Sequence, residues 1–105
     1  MNKQNGFIIP PNHTGFRAKA LLSKQQGSVA DLSIAYIFPE GGGPSPAHAH
    51  EHDHIFFVVS GEAKIQIGEE CVILKEDGAY HVSGRIMHSV WNNGNSELKM
   101  IGINI

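Results

Sequence analysis

The sequence predicts an all-β protein, folded as a sandwich or a barrel, and two observations support this class. Short apolar or alternating runs recur about every eight to twelve residues, separated by glycine, proline, asparagine or acidic residues, as in strands joined by turns. Almost no segment shows the apolar period of an amphipathic helix. A chain of 105 residues is expected to form one domain, residues 1–105.

Ten candidate strands follow from these runs. They span residues 6–9, 16–23, 30–38, 48–50, 54–59, 63–67, 71–75, 79–82, 88–91 and 97–105. Side chains of like character alternate along several of them, in the sets Ile65 and Ile67, then Leu32, Ile34, Tyr36 and Phe38, then Ile101, Ile103 and Ile105. The run 55–59 is apolar on both faces, so a second sheet or a partner subunit must cover one of them.

The turns carry their own signals. Residues 68–70 and 92–95 are predicted turns, and the second contains the strong turn signal Asn-Gly. The segment 39–46 is rich in glycine and proline and is predicted to be neither strand nor helix. It ends just before His48, so we expect it to shape the approach to the histidines that follow.

Charge and cysteine content exclude several classes of protein. The net charge is −2 and no run of lysines or arginines occurs, which argues against nucleic-acid binding and against a polybasic membrane contact. Cys71 is the only cysteine and cannot form an internal disulfide, which fits a reducing compartment. No apolar run matches a secretory signal or a membrane span. We therefore expect a cytoplasmic protein.

The histidines carry the functional signal. Five of the seven lie in two short segments, one from His48 to His54 and the other around His88. Imidazole is the commonest protein ligand for transition metals, and alternate residues of a strand point to the same face. The sequence thus predicts a metal-binding β-protein. His13 is expected at the surface, and His81 is expected to be a half-buried polar residue.

The first segment resembles a motif of the cupin superfamily of small β-barrel proteins. That motif reads Gly-x5-His-x-His-x3,4-Glu-x6-Gly, and the chain matches its spacing with Gly42, His48, His50, His54 and Gly61. His54 stands where the family usually has glutamate. This first motif spans about residues 42–61.

A second motif of the family, spanning about residues 77–92, contains His-x3-Asn. The chain has His88 and Asn92 at this spacing. Upstream it departs from the family pattern, because Ser83, Gly84 and Arg85 replace the usual proline-containing turn.

The resemblance implies a double-stranded β-helix, or jelly-roll barrel, with a metal ion in its mouth. The ligands it implies are His48, His50, His54 and His88, and His52 is an alternative for the last place in the shell. Histidine in place of glutamate leaves the ion with about one more unit of positive charge, which strengthens it as a Lewis acid. Imidazole does not discriminate among divalent Zn, Ni, Fe, Cu, Co or Mn.

Two functions fit this interpretation. One is a small metalloenzyme performing dioxygenase-, isomerase- or lyase-type chemistry on a small molecule, with no catalytic residue assigned beyond the metal ligands. The other is a non-catalytic barrel that binds or senses a small molecule around a structural metal. Open coordination positions on the ion distinguish them. A homodimer is expected, because the run 55–59 and the apolar segments 7–9 and 101–105 present more apolar surface than one small barrel can bury.

Overall fold

The computed structural model describes residues 6–105, which form eight β-strands and no helix. The strands are β1 (Thr14–Leu22), β2 (Asp31–His48), β3 (His54–Ser60), β4 (Glu62–Ile67), β5 (Glu70–Lys75), β6 (Ala79–Val82), β7 (His88–Asn92) and β8 (Leu98–Asn104). Residues 1–5 of the predicted domain lie outside the described residues. The described part of the chain holds no helix that could span a membrane.

All strand pairs are antiparallel, and they form one sheet in the order β5-β4-β7-β2-β8-β3-β6, with β1 also paired to β2. The sheet curls into a nearly closed barrel, which confirms the predicted cupin-like fold class. Its long strand β2 pairs with β8 over residues 31–37 and with β7 over residues 42–48. This change of partner brings the histidine at the end of β2 next to the start of β7.

The core lies inside the barrel and follows the two-residue period of the strands. Its members are Ile37, Val58, Ala63, Ile65, Leu74, Val82, Val90, Leu98 and Met100. Ile37, Val58 and Leu98 come from the adjacent strands β2, β3 and β8 and are fully buried. The predicted alternation at Ile65 is therefore confirmed, since this side chain is also fully buried.

The same period turns a second set of apolar side chains outward. The outer face, as we call it, consists of half-buried residues of β2, β3 and β8: Leu32, Ile34, Ile55, Phe57, Ile101 and Ile103. The strand register aligns Ile34 with Ile101 and Phe57 with Ile101, so the residues are contiguous across the three strands.

The prediction for segment 39–46 is wrong, because these residues continue β2. Gly42 pairs with Trp91 and Gly43 with Val90 in β7. A Cβ atom at Gly42 would lie 2.4 Å from Cε3 of Trp91, so only glycine allows β2 to approach β7 this closely. Local composition indicated a loop, whereas the approach of β7 requires glycine at position 42.

Two of the predicted strands differ in extent from the strands of the structure. The predicted strand 48–50 is the end of β2, which stops at His48. The predicted strand 6–9 makes only an isolated bridge between Ile8 and Ala18. The predicted turn at 68–70 is confirmed at Gly68 and Glu69, where Gly68 has a φ of 57°, whereas Glu70 already begins β5.

Candidate metal centre

Three of the four predicted histidine ligands converge at the mouth of the barrel. His50 lies in the connection between β2 and β3, His54 begins β3, and His88 begins β7. One ring nitrogen from each lies within 4.8 Å of those of the other two. The ring centroids are 5.0 Å apart for His50 and His54, 5.5 Å for His50 and His88, and 4.9 Å for His54 and His88. We call these three residues the histidine triad.

His54 is oriented by a hydrogen bond to Asn104, which is in turn bonded to Asp31. Its Nδ1 lies 2.8 Å from Oδ1 of Asn104, and Nδ2 of Asn104 donates to Oδ2 of Asp31 over 3.0 Å. An amide oxygen can only accept, so Nδ1 carries the proton and Nε2 carries a lone pair. Nε2 is buried and has no hydrogen-bond partner in the described structure. A metal-binding histidine usually has this arrangement: one ring nitrogen offers its lone pair to the ion, and the other is fixed by a hydrogen bond.

His88 is also oriented by a hydrogen bond from its Nδ1. Its Nδ1 donates to the carbonyl oxygen of Ile86 over 3.0 Å, which leaves the Nε2 lone pair free. The residue is only 4% exposed. His50 is half-buried, and its carbonyl oxygen accepts a hydrogen bond from the backbone N–H of Arg85. This bond ties the connection that carries His50 to the turn that precedes His88.

Burial lowers the pKa of two members of the triad. It is the main cause that lowers the pKa of His54 to about 4, with the neighbouring His88, His50 and His52 adding to the effect and the bond to Asn104 opposing it. Burial is also the main cause that lowers the pKa of His50, followed by charge repulsion from His88, His52 and His48. Metal ligation needs deprotonated imidazole, so both shifts favour it near neutral pH.

The residues present therefore fit a transition metal. Two ligands that each lie about 2.1 Å from one ion are at most about 4.2 Å apart, so small side-chain rotations suffice to close the triad. Three protein ligands on a transition metal leave positions for a water molecule or a substrate. The triad thus has the donor type and number of a reactive site.

His48 and His52 lie beside the triad without joining it. His48 ends β2 opposite His88 in the strand register, and its ring centroid is 5.9 Å from that of His50. His52 is exposed, with its ring centroid 5.2 Å from that of His50 and 4.7 Å from that of His54. Both remain near enough to compete for a fourth position.

A cavity of about 300 Å³ adjoins the triad. It is lined by Pro10, Pro11, His13, Phe16, Gly43, Pro44, His48, His50, Phe56, His88 and Val90. Apart from its four histidines, the wall is apolar. This size is at the lower end of the range for small-molecule sites.

Some residues around the site were not predicted. His13 was expected at the surface, but it is half-buried and lines the cavity. Asn104 and Asp31 are far from the histidine motifs in sequence, and only the strand register brings them to His54. No local signal in the sequence could have found these three residues.

Asp53, in the connection between β2 and β3, bonds to two other segments. Its Oδ1 accepts the Gly84 N–H over 2.7 Å, and its Oδ2 lies 2.7 Å from Nε2 of His81. The bond from Gly84, followed by that from His81, lowers the pKa of the Asp53 carboxyl. His81 itself is exposed rather than half-buried, with 53% of its side chain accessible.

The fold and site together define a small β-barrel protein with a histidine cluster suited to a metal ion at its mouth. The cupin domain family matches residues 35–104, about two-thirds of the chain, and the chain belongs to this family. The match covers all three residues of the triad. No curated protein sequence matches the chain significantly.

Several solved structures share the fold. A cupin-like protein from Thermotoga maritima is 23% identical with a TM-score of 0.76, and the match covers 88% of this chain and 70% of that one. A predicted oxalate decarboxylase from the same organism is 21% identical, with a TM-score of 0.75 and coverages of 86% and 79%. The polyketide cyclase RemF from Streptomyces resistomycificus is 15% identical, with a TM-score of 0.76 and coverages of 92% and 69%. At these identities the likeness shows the fold alone.

Proposed function

We propose that the chain is a metal-dependent cupin that binds a small molecule in the cavity beside its metal ion. His50, His54 and His88 hold a divalent transition metal, and His48 is the fourth ligand. The observation that carries this proposal is Nε2 of His54, which is buried and unpartnered within the described structure while Nδ1 is held by Asn104. A buried polar atom without a partner is costly, and ligation removes that cost.

The preferred function is a small metalloenzyme of dioxygenase, isomerase or lyase type. A bound ion of this kind supplies Lewis acidity and, for iron or copper, redox chemistry. The chain supplies the neutral imidazoles, and the apolar wall around Phe16, Phe56 and Val90 excludes water from the ligand. Two of the structurally similar proteins carry enzyme names, which is compatible with this function.

The second candidate function is a binding barrel without turnover. One observation favours it: the described cavity wall contains no carboxylate, thiol, hydroxyl or amine. Histidine is the only residue type there that can move a proton. The metal would then be an anchor for the bound molecule.

Metal analysis followed by spectroscopy tests the proposal. We expect purified protein to retain about one equivalent of a divalent metal, and cobalt(II) substituted into it to exchange a bound water for azide. A metal-free protein that fails to bind cobalt(II) would refute the metal site. A cobalt(II) centre without exchangeable water would leave the metal site standing and refute the enzyme.

We also propose that two copies of the chain pair through the outer face. This face is apolar and contiguous across β2, β8 and β3, and an uncharged apolar surface can be complementary to itself, as a two-fold interface requires. Ile34→Lys and Ile101→Lys place a charge in its centre. We expect light scattering to give a dimer for the unchanged chain and a monomer for these variants, whereas Ile73→Lys on exposed β5 leaves the dimer intact.

The cytoplasm is the compartment we propose. Cys71 is exposed, and its thiol donates a hydrogen bond to Gln66 over 2.9 Å. An exposed free thiol persists in a reducing environment. Fractionation of cells that express the tagged chain tests this location.

A further inference from the structure

We propose that His13 forms a second polar end of the cavity, where its Nε2 accepts a hydrogen bond from the bound small molecule. The inference rests on the proposed function and specifies its ligand. The ligand then has a metal-binding group at one end, an apolar body in the middle, and a hydrogen-bond donor at the other end.

The position of His13 is fixed by the backbone around it. The carbonyl oxygen of Asn12 accepts the Ser45 N–H over 2.9 Å, which joins this segment to β2. The imidazole packs edge-on against Phe16, with centroids 4.4 Å apart and ring planes at 70°. A Cβ atom at Gly43 would lie 2.8 Å from its ring atoms, so glycine at that position leaves room for the ring. His13 is thus a fixed part of the cavity wall.

The hydrogen bonds of His13 define which nitrogen is available. Nδ1 lies 2.7 Å from the carbonyl oxygen of Pro11. Since a carbonyl oxygen can only accept, Nδ1 carries the proton in the neutral ring and Nε2 is an acceptor. No residue among 6–105 donates to Nε2. A ligand in the cavity can therefore supply the donor.

The remainder of the cavity wall sets the ligand class. The other histidines of the wall, His48, His50 and His88, belong to the side of the proposed metal. The rest of the wall consists of proline, phenylalanine, glycine and valine, none of which has a side-chain hydrogen-bonding group. His13 is accordingly the polar side chain of this wall that lies outside the proposed metal shell, and it can accept a hydrogen bond from the bound ligand. A hydroxyl or an amine is the donor it would select.

The test uses cobalt(II)-loaded protein and three probes: benzohydroxamate, 3-hydroxybenzohydroxamate and 4-hydroxybenzohydroxamate. The hydroxamate occupies the metal, and absorption titration gives each dissociation constant. We expect at least one hydroxylated probe to bind the unchanged protein about fivefold more tightly than the parent, the value of an ordinary hydrogen bond. In His13→Phe, which keeps the aromatic packing, this gain should vanish. In His13→Gln, whose amide oxygen accepts, part of the gain should remain.

The affinity ratio is measured within each protein, so a change in metal uptake or stability cancels. An equal gain in His13→Phe and the unchanged protein would overturn the assignment of His13, as would the absence of any gain in the unchanged protein. A parent probe that leaves the cobalt(II) spectrum unchanged would overturn the proposed function and this inference with it. The two failures are therefore distinguishable.

Discussion

Acidification should destabilise the metal-free protein, and His54 is the main reason. Its pKa is lowered from 6.5 to about 4 in the folded chain. Between these values the unfolded chain binds a proton that the folded chain does not, so stability falls as the pH falls. At 1.36 kcal/mol per pH unit, lowering the pH from neutral to 5 removes about 2 kcal/mol of the free energy of unfolding. Domains of this size have only about 5–15 kcal/mol in total.

Urea unfolding with a chelator present, at pH 7 and pH 5, measures this loss. His54→Gln removes the titrating group, so its stability should fall by about 2 kcal/mol less than that of the unchanged protein over the same interval. If His54→Gln loses as much stability as the unchanged protein, burial of this imidazole is not the cause.

Three further predictions concern the ligands, their support and the glycine contact. His88→Ala should weaken cobalt(II) binding by about 100-fold or more in a competition titration, and His81→Ala should not; equal losses would contradict the triad. Asn104→Ala should weaken cobalt(II) binding by about 10–100-fold. An unchanged affinity would mean that Asn104 does not orient His54 for binding. Gly42→Ala should lower the free energy of unfolding by at least about 2 kcal/mol in urea, whereas Gly94→Ala, with its nearest contact at 3.7 Å, should change it little; similar losses would contradict the steric argument.

The sequence was sufficient for the fold class because the information is repeated in every strand. Alternating side chains such as Ile65 and Ile67 define which face is inside, and turn residues such as Gly68 define where strands end. The convergence of His50, His54 and His88 was also predictable, since their spacing matches two motifs of one family. Each of these features depends on neighbours in sequence or on a repeated pattern.

The remaining features depend on contacts between distant segments. The composition of residues 39–46 predicts neither strand nor helix, because glycine and proline disfavour both in isolation. In the folded chain, however, the approach of Trp91 requires glycine at position 42. His13 is predicted to lie at the surface, because its contact with Gly43 forms only when the backbone at Asn12 bonds to β2. Such pairings are properties of the assembled barrel and leave no local trace.

The link from Asp31 through Asn104 to His54 has a consequence for how the protein chooses its metal. These residues come from three strands, so the imidazole acquires its defined tautomer only after the barrel has closed. A nascent chain offers a flexible tract of interchangeable donors that any soft cation can occupy. The finished barrel offers oriented lone pairs at set positions, and selectivity among cations is therefore acquired at the end of folding.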